Sequence, residues 1–174
     1  MGRLEVNQNK SGFLLDGRPF FYLGDTIWSA FTNITIEEWE YYLKRRKEQG
    51  FTVLQINTLP QWDRCMSDTG LYPFATEDEG KTFDFARWNE RYYENAAVMC
   101  RMAVEQGFQL ALVVLWLNYV PGTWGSRIMS QNIMPEDFVQ EYTEKVVSVF
   151  DKFHPIYVVS GDTDFDTPEA VDYY

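Results

Sequence analysis

Histidine occurs once, at His154, and cysteine twice, at Cys65 and Cys100. With no CxxC spacing and a single histidine, the chain lacks the ligand set of a zinc site, and no pattern asks for a metal or an organic cofactor. Cys65 falls in a loop and Cys100 on a helix face, so two free thiols is the simplest reading; a disulfide is left open. Long apolar runs are missing too. The longest, Leu110 to Leu117, has the length of a strand and not of a membrane span. The opening MGRLEVNQNK has no apolar signal core, so no export signal is visible. Met1-Gly2 also fits a start left after removal of a leader, and location stays open. Basic residues are few: 15 Lys and Arg stand against 26 Asp and Glu, for a net charge of -11. Such a chain repels phosphate, which argues against nucleic acid and anionic membranes as partners. Gly-rich phosphate turns, GxGxxG or GxxxxGK[ST], do not occur.

Aromatic residues are abundant, at 17% of the chain, with six Trp and 11 Tyr. At 174 residues and 45% hydrophobic content, one sizeable core is affordable and one domain, 1–174, is the default. Several aromatics fall where strands are expected to end.

Residues 12–23, GFLLDGRPFFYL, place Asp16-Gly17 between two apolar runs, a hairpin signal. The second arm, Phe20 to Gly24, runs on into Asp25. Thr35 and Glu38 form a capping-box pattern, followed by Ile36, Trp39 and Leu43 on one helix face. Gly50 closes that helix, and FTVLQI (51–56) is a buried strand. After a long aperiodic stretch (57–83), Trp88, Tyr92, Ala96, Met99 and Ala103 predict a second helix, ending at Gly107. The tetrapeptide EQGF occurs at 48–51 and 105–108, each time joining helix to strand, so one supersecondary step is repeated. LALVVL (110–115) is the next strand. Pro135 suits a first helical position, ahead of Phe138, Tyr142, Val146, Val149 and Phe153. His154-Pro155 ends that helix, IYVVS (156–160) is a fourth strand, and Thr167-Pro168-Glu169 starts a further helix.

Hairpin followed by βαβαβαβ means an α/β fold, and continuous apolar strands mean both sheet faces are covered. Loops after strands (58–83, 116–134) are long, while turns after helices are minimal. That asymmetry favours a parallel β/α (TIM-type) barrel over a doubly wound sheet. A complete barrel takes eight units and about 250 residues. Four are present here, so the expectation is an N-terminal half barrel of about four βα units: a fragment, one of two assembling copies, or a divergent half.

The carboxyl ends of the strands then gather Asp25 and Trp28, Asn57, Trp116, Asn118 and Tyr119, and Asp162 and Asp164. Carboxylates, amides and indoles on one rim suit a polyhydroxylated ligand. Asp162 ends an apolar strand after Gly161 and is placed as a general acid, although an Asx cap is the plainer role. Asp164 is open between site and turn, and Asp166 reads as a turn residue. Asp25 is equally suited to binding backbone amides, and Asn57 is similar. Trp28, Trp62, Trp116 and Trp124 divide between packing and platform. His154 reads as a helix cap, and Glu77, Asp78 and Glu79 as a solvated loop run.

FFYLGDTIWSAF, FTVLQINTLPQWD, LALVVLWLNYVPGTWG and IYVVSGDTDF together resemble the opening half of apiosidase-like glycoside hydrolases, over roughly residues 12–165. The resemblance implies a retaining glycosidase barrel acting on side chains of plant-type or other polysaccharides, in a periplasmic or extracellular setting. It implies acid/base catalysis at the end of the fourth strand and a nucleophile near the end of the seventh. Related barrels carry Asn-Glu where this chain has Gly161-Asp162, which matches an aspartate variant, so Asp162 inherits the acid/base role. Asp25, Trp28, Asn57 and Trp116 inherit places in the sugar subsite; no position here corresponds to the nucleophile. Two other readings compete. One is a non-catalytic carbohydrate-binding half barrel. The other is a domain self-associating through open strand edges at 20–23 and 156–160.

Overall fold

The computed structural model describes residues 2–61, 63 and 66–174. Trp62 and Cys65 lie outside the described residues. Three antiparallel strands come first: β1 (Leu4–Val6), β2 (Phe13–Leu15) and β3 (Arg18–Phe20). Asp16 and Gly17 take positive φ, 51° and 73°, as a type I′ hairpin requires. β1 carried no signal in the sequence, being too short to alternate. The expected unbroken arm from Phe20 into Asp25 is divided in the structure. Leu23 donates its N–H to the Phe21 carbonyl at 3.1 Å and to Thr52 Oγ1 at 2.9 Å. This tight turn separates the hairpin from β4 (Gly24–Thr26), which opens a different sheet.

That second sheet is parallel, in the order β4, β5 (Val53–Asn57), β8 (Gln109–Val113), β9 (Ile156–Val158). Each strand pairs with the next of the set in sequence, without the reversal that defines a doubly wound sheet. Helices α2 (Ile36–Glu48), α3 (Glu90–Glu105) and α5 (Glu136–Phe150) supply the crossovers. The architecture is four strands of a β/α barrel with their helices on the outside.

The helices are set by local chemistry. Thr35 Oγ1 accepts the Glu38 N–H while the Glu38 carboxylate accepts the Thr35 N–H, completing the capping box. At α2's other end Gly50 N–H bonds to Lys47 O at 3.0 Å and Phe51 N–H to Arg46 O at 3.1 Å. After α3, Gly107 and Phe108 repeat the pattern onto Val104 and Ala103 at 2.9 and 3.1 Å. Both are Schellman closures, with both glycines at φ 84°. The repeated EQGF is therefore a repeated helix stop. Pro135 sits one residue ahead of α5 as its cap. α5 yields to a 3-10 turn at Asp151–Phe153, which His154 closes at φ 51°.

Trp88 is not in α3. It ends β7 (Asp84–Trp88), which pairs with β6 (Phe74–Ala75) inside the long loop after β5. Its i, i+4 spacing to Tyr92 mimicked a helical face, but Asn89 occupies the cap position between them. The indole stacks on Tyr142, centroids 6.3 Å apart.

Strand register divides the sheet's two faces. Leu54 and Leu110 lie in register with Asp25 and turn toward the helices, in the core with Trp39, Met99 and Tyr142. Val53, Gln55, Asn57, Ala111 and Val113 alternate with them and line the barrel side.

Candidate active site

The carboxyl ends of the four strands are tied down before they become loops. Thr58, just past β5, donates from Oγ1 to the carbonyls of Val113 and Val114, both at 2.9 Å, and shares a 2.6 Å bond with Tyr142 Oη. Tyr92 Oη donates to Thr58 O at 2.8 Å. Burial pushes the hydroxyl of Tyr142 well up and that of Tyr92 likewise, so both remain protonated donors.

The rim carries an aromatic pair. Trp28 follows β4, its carbonyl accepting the Asn57 N–H at 3.0 Å. Its ring lies 5.4 Å from that of Trp116, tilted by 48°. Trp116 in turn packs closely against the chain at Gly161, where an added Cβ would fall 1.9 Å from the indole ring. Glycine is required there because the backbone itself is the packing surface.

Asp162 comes next. Its backbone is left-handed at φ 60°, its carbonyl accepts Trp124 Nε1–H at 3.0 Å, and its side chain is exposed. The turn is braced from below: Ser160 Oγ bonds to Thr163 Oγ1 at 2.5 Å and to Tyr174 Oη at 2.6 Å. A carboxylate is thus presented from a fixed, sparsely populated backbone conformation beside two indoles, the kind of local strain that clusters at functional sites. Asp164 and Asp166 are also exposed. They share a hydrogen bond that holds the Asp166 carboxyl above its ordinary value.

Asn57 is 2% exposed and ends β5, and neither atom of its amide has a partner among the described residues. The same is true of the Asn118 amide and of Trp116 Nε1. Such buried polar atoms ordinarily meet water or ligand. Asn118, at 0% exposure, lies beneath the rim surface and not on it.

Two expected contacts are placed elsewhere. Asp25 faces the helix side of the sheet, where Tyr42 Oη donates to it at 2.6 Å and Arg46 Nε forms a short ion pair. Burial, then this carboxylate, push the Tyr42 hydroxyl up. The cause is register: Asp25 is the middle residue of a three-residue strand, so its side chain points opposite to Thr26. Tyr119 is wholly buried and donates to Pro60 O at 2.9 Å, which secures the loop after β8. His154 caps a helix end, and Cys100 is a free buried thiol whose titration burial pushes up. No group of three or more His, Cys, Asp or Glu suited to a metal occurs among the described residues. Sequence reasoning missed the Gly161–Trp116 contact and the Ser160–Tyr174 brace, because both join segments distant in the chain.

A concavity of about 650 Å³ lies at the opposite, amino end of the strands, among Arg3, Tyr22, His154 and Ile156. A trough of about 460 Å³ lies at the rim, beside Trp28.

The model of the apiosidase-like catalytic domain matches residues 8–173. This chain belongs to the apiosidase-like family. Solved structures agree on the fold of this apiosidase-like domain. A glycoside hydrolase is 24% identical, with a TM-score of 0.74 over 99% of this chain and 36% of its own. A family 5 glycoside hydrolase from Bacteroides vulgatus is 22% identical, with a TM-score of 0.75 over 99% and 35%. An endo-1,4-beta-mannanase from Rhizomucor miehei is 14% identical, with a TM-score of 0.58 over 92% and 46%. The domain therefore spans about a third of the length of the first two. No curated protein matches it in sequence.

Proposed function

We propose that this domain supplies the acid/base half of a retaining glycoside hydrolase site, with Asp162 as the catalytic carboxyl group. The observation that carries the reading is the setting of Asp162: past the end of β9, held at φ 60°, bonded through its carbonyl to Trp124 and adjacent to the Gly161–Trp116 contact. That is where β/α barrels place their chemistry.

In the first step the Asp162 carboxyl proton passes to the glycosidic oxygen as the C–O bond breaks. A second carboxylate captures the anomeric carbon as an ester. Asp162, now ionised, then takes a proton from the water that attacks that ester. The reading requires a second carboxylate from outside these four strands. Trp28, partly exposed at the rim and backed by the buried Trp116, offers an apolar face to the C–H surface of a sugar ring, and Asn57 offers both a donor and an acceptor to hydroxyl groups. Asp25 and Tyr119 act from behind, setting β4 and the loop after β8.

Hydrolysis of aryl glycosides by the natural protein that carries this chain, with and without Asp162→Asn, tests the reading. A loss of about 10²–10⁴-fold is expected for removal of a general acid. The second reading, sugar binding without turnover, draws on the unpartnered side-chain amide of Asn57 and Nε1 of Trp116, which offer hydrogen bonds and no carboxylate. Binding that persists in Asp162→Asn, with no hydrolysis by the unaltered protein, selects it.

A further inference from the structure

The turn that carries Asp162 is held from two sides by segments distant in the chain. On one side Trp124 Nε1–H binds the Asp162 carbonyl. On the other stands Tyr174, delivered by the short helix Pro168–Tyr173. That helix is anchored on the loop after β8: Thr167 Oγ1 donates to Gly122 O at 3.3 Å, and Tyr173 Oη donates to Met134 O. The Tyr174 ring meets Phe165 edge-on, centroids 5.5 Å apart. Its hydroxyl has Ser160 Oγ at 2.6 Å, Thr163 Oγ1 at 3.1 Å and the Leu115 carbonyl at 3.2 Å around it. A carbonyl only accepts, so the Tyr174 proton goes to Leu115. Tyr174 Oη then accepts from Ser160, and Ser160 Oγ accepts from Thr163 Oγ1, 2.5 Å away. A single proton order, Thr163 to Ser160 to Tyr174 to Leu115, satisfies every hydroxyl in the chain. Burial pushes the Tyr174 hydroxyl up, so its proton stays in place at neutral pH. The chain ties together the two segments that make the Trp116–Gly161 contact. Leu115 precedes Trp116, while Ser160 and Thr163 bracket Gly161 and Asp162.

We propose that Tyr174 is a positioning residue for Asp162: its hydroxyl, joining Ser160 and Thr163 to the Leu115 carbonyl, sets the direction in which the Asp162 carboxyl group meets the glycosidic oxygen. The role rests on the general-acid reading above and names what aims that acid. A general acid works only within hydrogen-bond reach of the atom it protonates. A displacement of about 1 Å costs on the order of 10²-fold in rate.

The test uses the natural protein that carries this chain, comparing the unaltered form with Tyr174→Phe, Ser160→Ala and Asp162→Asn. It measures kcat/KM on aryl glycosides with poor and with highly activated leaving groups, with thermal unfolding as the check on folding. Tyr174→Phe keeps the ring against Phe165 and removes only the oxygen. It should lower kcat/KM for the poor leaving group by about 10–10²-fold. The activated one should stay within about twofold, because it departs without a proton. Ser160→Ala cuts the same chain one link nearer the turn and should give the same split; it decides the matter if Tyr174→Phe fails to fold. Simple loss of folded protein lowers both substrates alike. An equal loss on both leaving groups, or none, overturns the positioning role alone, provided Asp162→Asn shows the split. If Asp162→Asn shows no split, or the unaltered protein hydrolyses neither substrate, the general-acid reading and the positioning role fall together.

Discussion

At the residue scale, Gly161 and Asp162 illustrate what a sequence shows and hides. The Gly-Asp pair after an apolar strand was legible, because position at a strand end implies exposure at the rim. The reason for the glycine was not, since Trp116 reaches it from another loop. Gly161→Ala drives a methyl group into the indole and is expected to destabilise the domain by about 1–3 kcal/mol, as overpacking does; chemical denaturation measures it. Asp162→Asn makes a different forecast. Asparagine accepts the left-handed backbone as readily as aspartate, so stability should stay within about 0.5 kcal/mol of the unaltered protein. A larger loss would assign the carboxylate a structural role. Asp25 shows the opposite error. As a carboxylate near a strand end it looked like a ligand group, but a one-residue change of phase turns a side chain to the other face of the sheet. The three-residue β4 is too short for its phase to be read from pattern.

At the element scale, legibility followed the strength of local chemistry. The capping box at Thr35 and the two EQGF stops were readable because caps and left-handed glycines are local devices, and the structure contains all of them. Thr35→Ala should cost about 1 kcal/mol. Gly50→Ala should cost about 1–2 kcal/mol from backbone strain alone, since nothing lies within 4 Å of the added methyl group. Thermal unfolding of the two variants separates capping from strain. The β6–β7 hairpin was invisible for the converse reason. β6 is two residues long, and its pairing with β7 is held by the Phe74, Phe85 and Trp88 cluster, with ring centroids 4.9–5.1 Å apart. Trp88 was misplaced onto α3 because a strand ending just before a helix can continue the helix's spacing by coincidence.

At the scale of the whole molecule, the strand–helix alternation and the loop asymmetry sufficed for the barrel, and the order β4-β5-β8-β9 bears it out. The depth to which aromatic hydroxyls are buried was not legible, and it has a consequence in alkali. Burial pushes Tyr157 and Tyr173 up to about 12, whereas unfolded tyrosine ionises near 10. Folding therefore holds these protons; stability is intact below pH 10 and falls as pH rises toward 12. Tyrosinate absorbance and far-ultraviolet circular dichroism should change together, and free titration near pH 10 in a still-folded protein would refute the burial. Function at this scale turns on Asp162. The most direct measurement is a rate comparison in the natural protein carrying this domain, using aryl glycosides with poor and with highly activated leaving groups. If Asp162 is the general acid, Asp162→Asn slows the poor leaving groups by about 10²–10⁴-fold and spares formation of the glycosyl-enzyme from activated ones. Equal rates for the variant and the unaltered protein on every leaving group would contradict the assignment.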